Sequence, residues 1–583
     1  MATDSAAIME TATRDDDLYT KDGTVDICGR RATRASTGLW KAAGFVLVNQ
    51  ALVSVTYYGI YNNLVRYLTN VLHQSNATAA SNVNLWTGTS SITALIGGFI
   101  SDSYLGRYWT TTLFLFVYLL GMILLTLSAA LPSLKPPSCD TGVDCQPASP
   151  AQTGVFFFAV YLGALASGAY QPCNSSLGAD QFDEENPDEL PKMTAYFNWF
   201  YQSMTVGALL ASTLVLYTQE NVSWSFGFGI CTIAMGLAVV VFLIGTPLYR
   251  NHGPGGNPLV RVFQVLVATV RKMGLKNPND ASLLYEVADD KPSIKGSRKI
   301  QHTTNLQFLD KAAIILPSDL EEVNPWRLCT VSQVEEVKCI IRMLPILLSS
   351  IVYSIVYSQM ATLFLEQGGT MDTHLGRYKI PPGSLSVFEN LSILVCTPTY
   401  EWFLVPLLRR FTKHPKGLTD LQRIGTGLVV IMLSMVVAAL VEIRRLGVAR
   451  DHGQLDSPAA VLPMSVFWLV PQYFLVGASE VFTFIGLIEF FYDQSPDGMR
   501  ALGSSFQLTA LACGNYSSSL VVTIVNGVTG RRGHTSWIAD NLNRAHFDYF
   551  YWMLAVVTGI DLVFFMVCAY FYKYIKTVSF SNE

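Results

Sequence analysis

What this sequence has least of is charge. Lys, Arg, Asp and Glu make up 14% of its 583 residues, against about 25% in ordinary soluble domains. That argues against a soluble enzyme of this length. It also argues against a disordered chain, which needs high charge and few aromatics; here 50% is hydrophobic and 12% aromatic. The net charge of −4 offers no basic excess for nucleic acid. Residues 1–40 carry the acidic run Asp15–Asp17 and no apolar core before Leu39, so no signal peptide is expected there. Gly253-Pro-Gly-Gly lacks the Lys-Ser/Thr of a phosphate loop and reads as a turn. No cysteine–histidine spacing suggests a metal. No cofactor and no nucleophile–base set is legible either.

The few charges are placed unevenly. Charge-free runs cover Ala42–Val65, His73–Ser101, Trp109–Leu131, Gly154–Ala179, Met193–Gln219 and Asn221–Tyr249. They resume at Met343–Leu365, Ile424–Val441, Ser457–Ser479, Ala501–Gly530 and Tyr549–Ile560, the last continuing past Asp561 to Tyr572. Another span appears from about Pro382 to Leu408 once Glu389 and Glu401 are admitted. Most runs reach about 20 residues, enough to cross a bilayer as helix. The expectation is an all-α membrane protein with twelve transmembrane helices in two six-helix bundles, its lateral partner the lipid bilayer.

The divisions follow. Residues 1–40 are expected to be a short, mobile cytosolic tail, 41–249 the first bundle, 250–337 a cytosolic linker, 338–573 the second bundle and 574–583 a C-terminal tail. The linker and the segment Arg409–Lys416 are rich in Lys and Arg, which makes their side cytosolic. Arg444, Arg445, Arg450, Arg531 and Arg532 fall on the other side, so the bias is not clean. Within the linker, Asn257–Met273 reads as an amphipathic helix with Leu259, Val262, Phe263, Leu266, Val267 and Val270 on one side, suited to lie beside the membrane. Residues 275–305 read as polar and mobile.

In the predicted external loop Pro132–Gln152, Cys139 and Cys145 lie six apart and form a disulfide candidate, since bridges persist on that side. Asn76 and Asn221 open Asn-x-Ser/Thr sequons in or near external loops. They are glycosylation candidates, or unused sequons too close to the bilayer.

Two bundles joined by a long loop is the layout of the major facilitator superfamily, whose halves rock around a midplane site. The segment Gly98-Phe-Ile-Ser-Asp102-Ser-Tyr-Leu-Gly106-Arg107 resembles that superfamily's best-known motif. Its glycines allow close helix approach, and Asp102 and Arg107 are expected to cap helix ends and to pair across the turn, stabilising one conformation.

Further segments narrow the resemblance. They are Tyr57-Tyr58-Gly59, Leu177-Gly-Ala-Asp180-Gln181-Phe182-Asp183-Glu184, Asn324-Pro-Trp-Arg, Gln333-Val-Glu-Glu-Val-Lys338 and Glu489-Phe-Phe-Tyr492 through Pro496 to Arg500. On these, nearly the whole chain resembles the plant nitrate and peptide transporter family, also called the proton-dependent oligopeptide transporters. The resemblance implies a secondary transporter rather than an enzyme, working by alternating access at the plasma membrane.

The departures are informative. Most members carry Glu-x-x-Glu-Arg/Lys in the first helix; here those positions are Gln50, Val53 and Ser54. Many relatives have a Lys before Pro in the fourth helix; here it is Gln171-Pro172. A nitrate-contacting His of one carrier type corresponds to Tyr357. The surviving family charge is Glu480, which ends an apolar run. An acid there is costly unless it faces water or a partner, and desolvation would let it hold a proton near neutral pH. Glu480 is thus the proton-coupling candidate, with Glu389, Glu401 and Asp561 weaker.

A subgroup of nitrate carriers also lacks the helix-one acids. The resemblance to it implies low-affinity nitrate movement, in one or both directions, with weakened proton coupling. The substrate-path candidates Gln50, Tyr57, Gln171, Asn174 and Tyr357 are neutral, and neutral donors hold an anion more weakly than charged ones. Potassium/proton exchange, an organic solute such as a hormone or defence metabolite, and a nitrate-sensing transceptor are the alternatives; a dipeptide is disfavoured without a base for its carboxylate. Thr110, three residues after Arg107, is the phosphorylation candidate for a regulatory kinase, by its spacing and by the resemblance.

Overall fold

A computed structural model describes residues 18–575 apart from 75, 137–147, 185, 255, 277–282, 287–298, 317–318, 320–323, 361, 376–377, 380–381, 414–415, 458–460, 531–535 and 539–540. Cys139, Cys145, Arg531 and Arg532 lie outside the described residues.

The described chain is helical almost throughout. The helices that matter below are α1 (Leu39–Tyr61), α2 (Asn76–Ile100), α3 (Gly106–Ala130), α4 (Pro150–Ala179), α5 (Leu190–Leu210) and α6 (Trp224–Ile244). After them come α7 (Pro258–Arg271), α8 (Val331–Tyr357), α9 (Ser386–Thr399), α10 (Asp420–Asp451), α11 (Val470–Asp493), α12 (Arg500–Thr529) and α13 (Phe547–Phe571). Local chemistry sets several starts. Ser149 and Gln152 make a reciprocal capping box at α4, as Thr419 and Gln422 do at α10.

Eleven stretches among the described residues are long and apolar enough to cross a membrane. The count falls below twelve because Leu85–Ala130 runs as one 46-residue stretch. At 1.5 Å per residue that is about 70 Å, twice what a bilayer core of about 30 Å needs. It holds both α2 and α3, which meet at Gly106 with φ of 76°. Only glycine takes that φ without strain.

The chain forms two compact units. The first comprises Met1–Leu344, Phe491–Phe506 and Lys573–Glu583; the second comprises Pro345–Phe490 and Gln507–Tyr572. The first unit therefore includes the end of α11 and the start of α12.

Within the first unit, α4 packs closely on α2. Trp86 Nε1 donates to the Val160 carbonyl at 3.0 Å, and the Ser90 and Ser167 hydroxyls meet at 3.0 Å. A Cβ at Gly168 would overlap the Ser90 carbonyl and Thr93 hydroxyl oxygens. Gly168→Ala is expected to destabilise by about 1–3 kcal/mol through this overlap. Gly229→Ala, where a Cβ meets nothing within 4 Å, is the control. A melting curve of detergent-solubilised protein that drops equally for both would count against this.

Residues 18–38 correct the expectation of a mobile tail. Backbone bonds join Thr20 to Ala32, Ala32 to Thr24 and Arg34 to Leu18 at 3.0–3.1 Å. Val25 exchanges two backbone bonds with Asn251, at 2.9 and 2.8 Å. The segment is polar in composition, which hid its order; its hold comes from backbone pairing and charge rather than from an apolar face.

Of the linker stretch 275–305, residues 277–282 and 287–298 lie outside the described residues; the rest of the linker has a core of its own. Val265 and Ala268 of α7 join Leu284, Leu309, Ala312, Ala313, Val334 and Val337 in a small core. Arg261 of α7 pairs with Glu336 at 2.9 Å, and Lys272 with Asp319 at 3.2 Å. These bury the charged side of α7. Leu259, Phe263, Leu266, Val270 and Met273 are left exposed in a stripe of helical spacing. The expected amphipathic helix is there, with Val262 packed partly against the core.

Candidate functional site

The first unit gathers the positions where relatives carry charge. Gln50 and Asn49 of α1 are buried. Gln50 Nε2 donates to Gln171 Oε1 at 3.2 Å and to the Ser54 hydroxyl at 3.3 Å. Its Oε1 accepts from Asn174 at 3.1 Å and from the Tyr170 hydroxyl at 3.3 Å. Tyr170 also donates to Asn49 Oδ1. Gln50, Gln171 and Asn174, three of the expected path residues, thus form one neutral network. Two atoms stand out. Asn174 Oδ1 is buried without a hydrogen-bond partner among the described residues, and Gln171 Nε2 meets only the weakly accepting Met204 sulfur, at 3.9 Å. Tyr57 lies apart from this network, stacked on Trp86 at 5.2 Å.

The second unit holds the expected acid and one of the weaker candidates. Glu480 of α11 is 2% exposed and Glu389 of α9 is 7% exposed. Their carboxyls are within hydrogen-bond reach of each other, and Tyr357 donates to Glu389 Oε1 at 3.2 Å. The packing explains the meeting. A Cβ at Gly477 would lie 2.9 Å from Ser392 Cβ and would overlap the Glu389 carbonyl. Glycine there lets α9 and α11 touch backbone to side chain. Gly477 and Glu480 are three apart, hence on one helix face. A carboxylate only accepts, so a hydrogen bond between two carboxyls requires a proton on one of them. Asp561 instead accepts from Ser349 at 2.7 Å; Glu401 sits in a π-turn after α9.

The motif residues meet the capping expectation and not the pairing one. Asp102 does not form an ion pair with Arg107. Its carboxylate accepts the backbone N–H groups of Ala501 at 3.3 Å and Leu502 at 2.8 Å, at the start of α12. A carboxylate is at home there, against the positive end of a helix. Arg107 is bound to Asp180 through both carboxylate oxygens and donates to the Asp497 carbonyl at 3.1 Å. The Tyr492 hydroxyl donates to Asp180 at 2.6 Å and accepts from Arg500 at 2.8 Å. Arg500 pairs with Glu184 at 2.5 Å and Asp497 at 2.8 Å. Gly98 packs where a Cβ would lie 2.7 Å from the Ala501 carbonyl oxygen. Every member of this cluster belongs to the first unit. It joins three of the sequence segments that carried the resemblance.

The remaining candidates are scattered. Thr110 is fully buried and donates to the Gly106 carbonyl at 2.8 Å. Asn76 is the first residue of α2. Asn221 is exposed at a helix end, its amide donating to the Tyr217 carbonyl at 3.0 Å. Arg445, counted from sequence among loop charges, is buried inside α10. It pairs with Glu442 at 2.6 Å and donates to Asn543 at 2.9 Å. The signal was available: Glu442 and Arg445 are one turn apart beside an apolar run.

Comparison with known proteins gives the family. Residues 108–538 match the family model described as PTR2, POT family. Protein NRT1/ PTR FAMILY 8.1 of Arabidopsis thaliana is 51% identical over 566 residues, covering 96% of this chain and 99% of that one. Protein NRT1/ PTR FAMILY 7.3 of the same plant is 43% identical, covering 96% and 92%. Among solved structures, the POT family transporter PepTSo aligns with a TM-score of 0.56 at 19% identity, over 91% of this chain and 99% of that one. That likeness concerns the fold. Between a family match over most of its length and relatives sharing half its residues, the chain belongs to the POT family, whose members are secondary transporters and not enzymes.

Proposed function

We propose that this multi-pass membrane protein carries a small organic solute with a cationic amine, by alternating access at the plasma membrane, and that its proton sensitivity resides in Glu389 and Glu480. The burial of both acids, on helices that Gly477 lets touch closely, carries the reading. A pair that holds one proton between two acids can exchange that proton for an ammonium group, which offers three donors in its place. Dipeptides are disfavoured, because the positions where the family resemblance expects a base are here Ser54 and Gln171.

Nitrate is the second reading. Gln171 Nε2, facing only a thioether, is a donor that an anion could take. Binding there lacks charge assistance and would be weak, with flux in one or both directions.

Labelled organic amine, dipeptide, nitrate and potassium fluxes in oocytes at two pH values separate these. The first reading expects amine uptake that changes with pH. Nitrate flux without amine flux would replace it by the second. Potassium flux coupled to protons and independent of both would overturn the two together. A transport-dead variant that kept a nitrate response would instead indicate a transceptor.

A further inference from the structure

We propose that Thr33 is a phosphorylation site for a basic-directed kinase, and that phosphate there releases the ordered segment 18–37 from the first unit. The sequence reads Arg30-Arg31-Ala32-Thr33, two arginines and a spacer before the hydroxyl. Arg30 and Arg31 are exposed and Thr33 is half-buried. Thr110, by contrast, is fully buried.

The same few residues hold the segment down. Thr33 is bridged to Tyr19. Arg31 lies over the Tyr19 ring at 5.0 Å. Arg34 pairs with the buried Asp183 at 3.0 Å, and the Lys21 N–H donates to the same oxygen at 2.9 Å. Beyond Thr33, the Thr37 carbonyl accepts from the buried Arg250 at 3.0 Å, and the Gly38 N–H donates to the Leu248 carbonyl at 2.8 Å. The acceptor hydroxyl thus sits between Arg31, which holds the segment to itself, and Arg34, which anchors it to Asp183.

The transfer itself is ordinary. The Thr33 oxygen bonds to the γ-phosphorus of ATP, the bond to the bridging oxygen breaks, ADP leaves and the hydroxyl proton is released. The product carries a charge of about −1.5 to −2. Arg31 and Arg34 on either side are its nearest cations in sequence, and drawing them to phosphate removes the ring contact and the Asp183 pair together.

The test uses the full-length protein in nanodiscs with the catalytic subunit of a cyclic-AMP-dependent kinase and labelled ATP. Label is expected on Thr33, lost in Thr33→Val and in Arg30→Gln. The second variant leaves every anchoring contact named here in place. Amide exchange of residues 18–34 in the phosphorylated protein is expected to quicken about tenfold or more, because local opening becomes easier. Label that persists in Thr33→Val, label confined to Ser36 or Thr110, or phosphate on Thr33 with unchanged exchange would each overturn the proposal.

Discussion

Asp180→Asn should be among the most damaging single changes in this protein, costing about 3–5 kcal/mol of stability. Asp180 is 1% exposed and is held by Arg107 and by the Tyr492 hydroxyl. Loss of its charge leaves the Arg107 guanidinium, itself 5% exposed, without its ion-pair partner. The cost of a buried unpaired cation exceeds what the pair contributed when intact. Asp102 cannot take over, because its oxygens are engaged by the Ala501 and Leu502 amides. The measurement is a melting curve of the purified full-length protein. Removal of both partners, as Arg107→Met with Asp180→Leu, should recover much of the loss, since an apolar pair strands no charge. A single variant that melts with the parent would show that the pair is not a structural clamp.

The second large effect concerns transport. Glu480→Gln and Glu389→Gln should each flatten the pH dependence of uptake and lower it at least about tenfold, a change of about 1.4 kcal/mol in the limiting step. The sign follows from the proposed role: Gln supplies an N–H in place of a carboxyl proton but has no proton to release. Tyr357→Phe, which removes only the donor to Glu389, should lower uptake and keep the pH profile. Uptake in oocytes, normalised to surface protein, distinguishes these outcomes. An unchanged profile in both Gln variants would remove the carboxyl pair from the mechanism.

Much of this was legible before any coordinates. Spans follow from where charges are missing, because a bilayer penalises every charge within it. The motif at Gly98–Arg107 and the family resemblance follow from local spacing. Partners distant in sequence do not. Asp102 and Arg107 stand close together, yet Arg107 binds Asp180, 73 residues away; spacing can place a charge on a face without saying what meets that face. Glu389 looked like a helix-end acid until the approach at Gly477 brought it to Glu480. Residues 18–38 looked mobile because polar composition reports the lack of an apolar core, and this segment is held by backbone pairing and by Asp183.

The discontinuity of the first unit bears on how the protein is made. Its three pieces leave the ribosome far apart in time, since Phe491–Phe506 follows Leu344 by well over a hundred residues. Until those residues emerge, Asp102 has no amides to accept and Arg500 cannot reach Glu184. Chains fold from the N-terminus as they are synthesised, so the first six spans must wait in the membrane with carboxylates exposed at one end. A chaperone, lipid headgroups or water must cover them for that interval. A truncated product ending near Leu344 would keep them uncovered, a mark by which quality control could distinguish an unfinished carrier from a finished one.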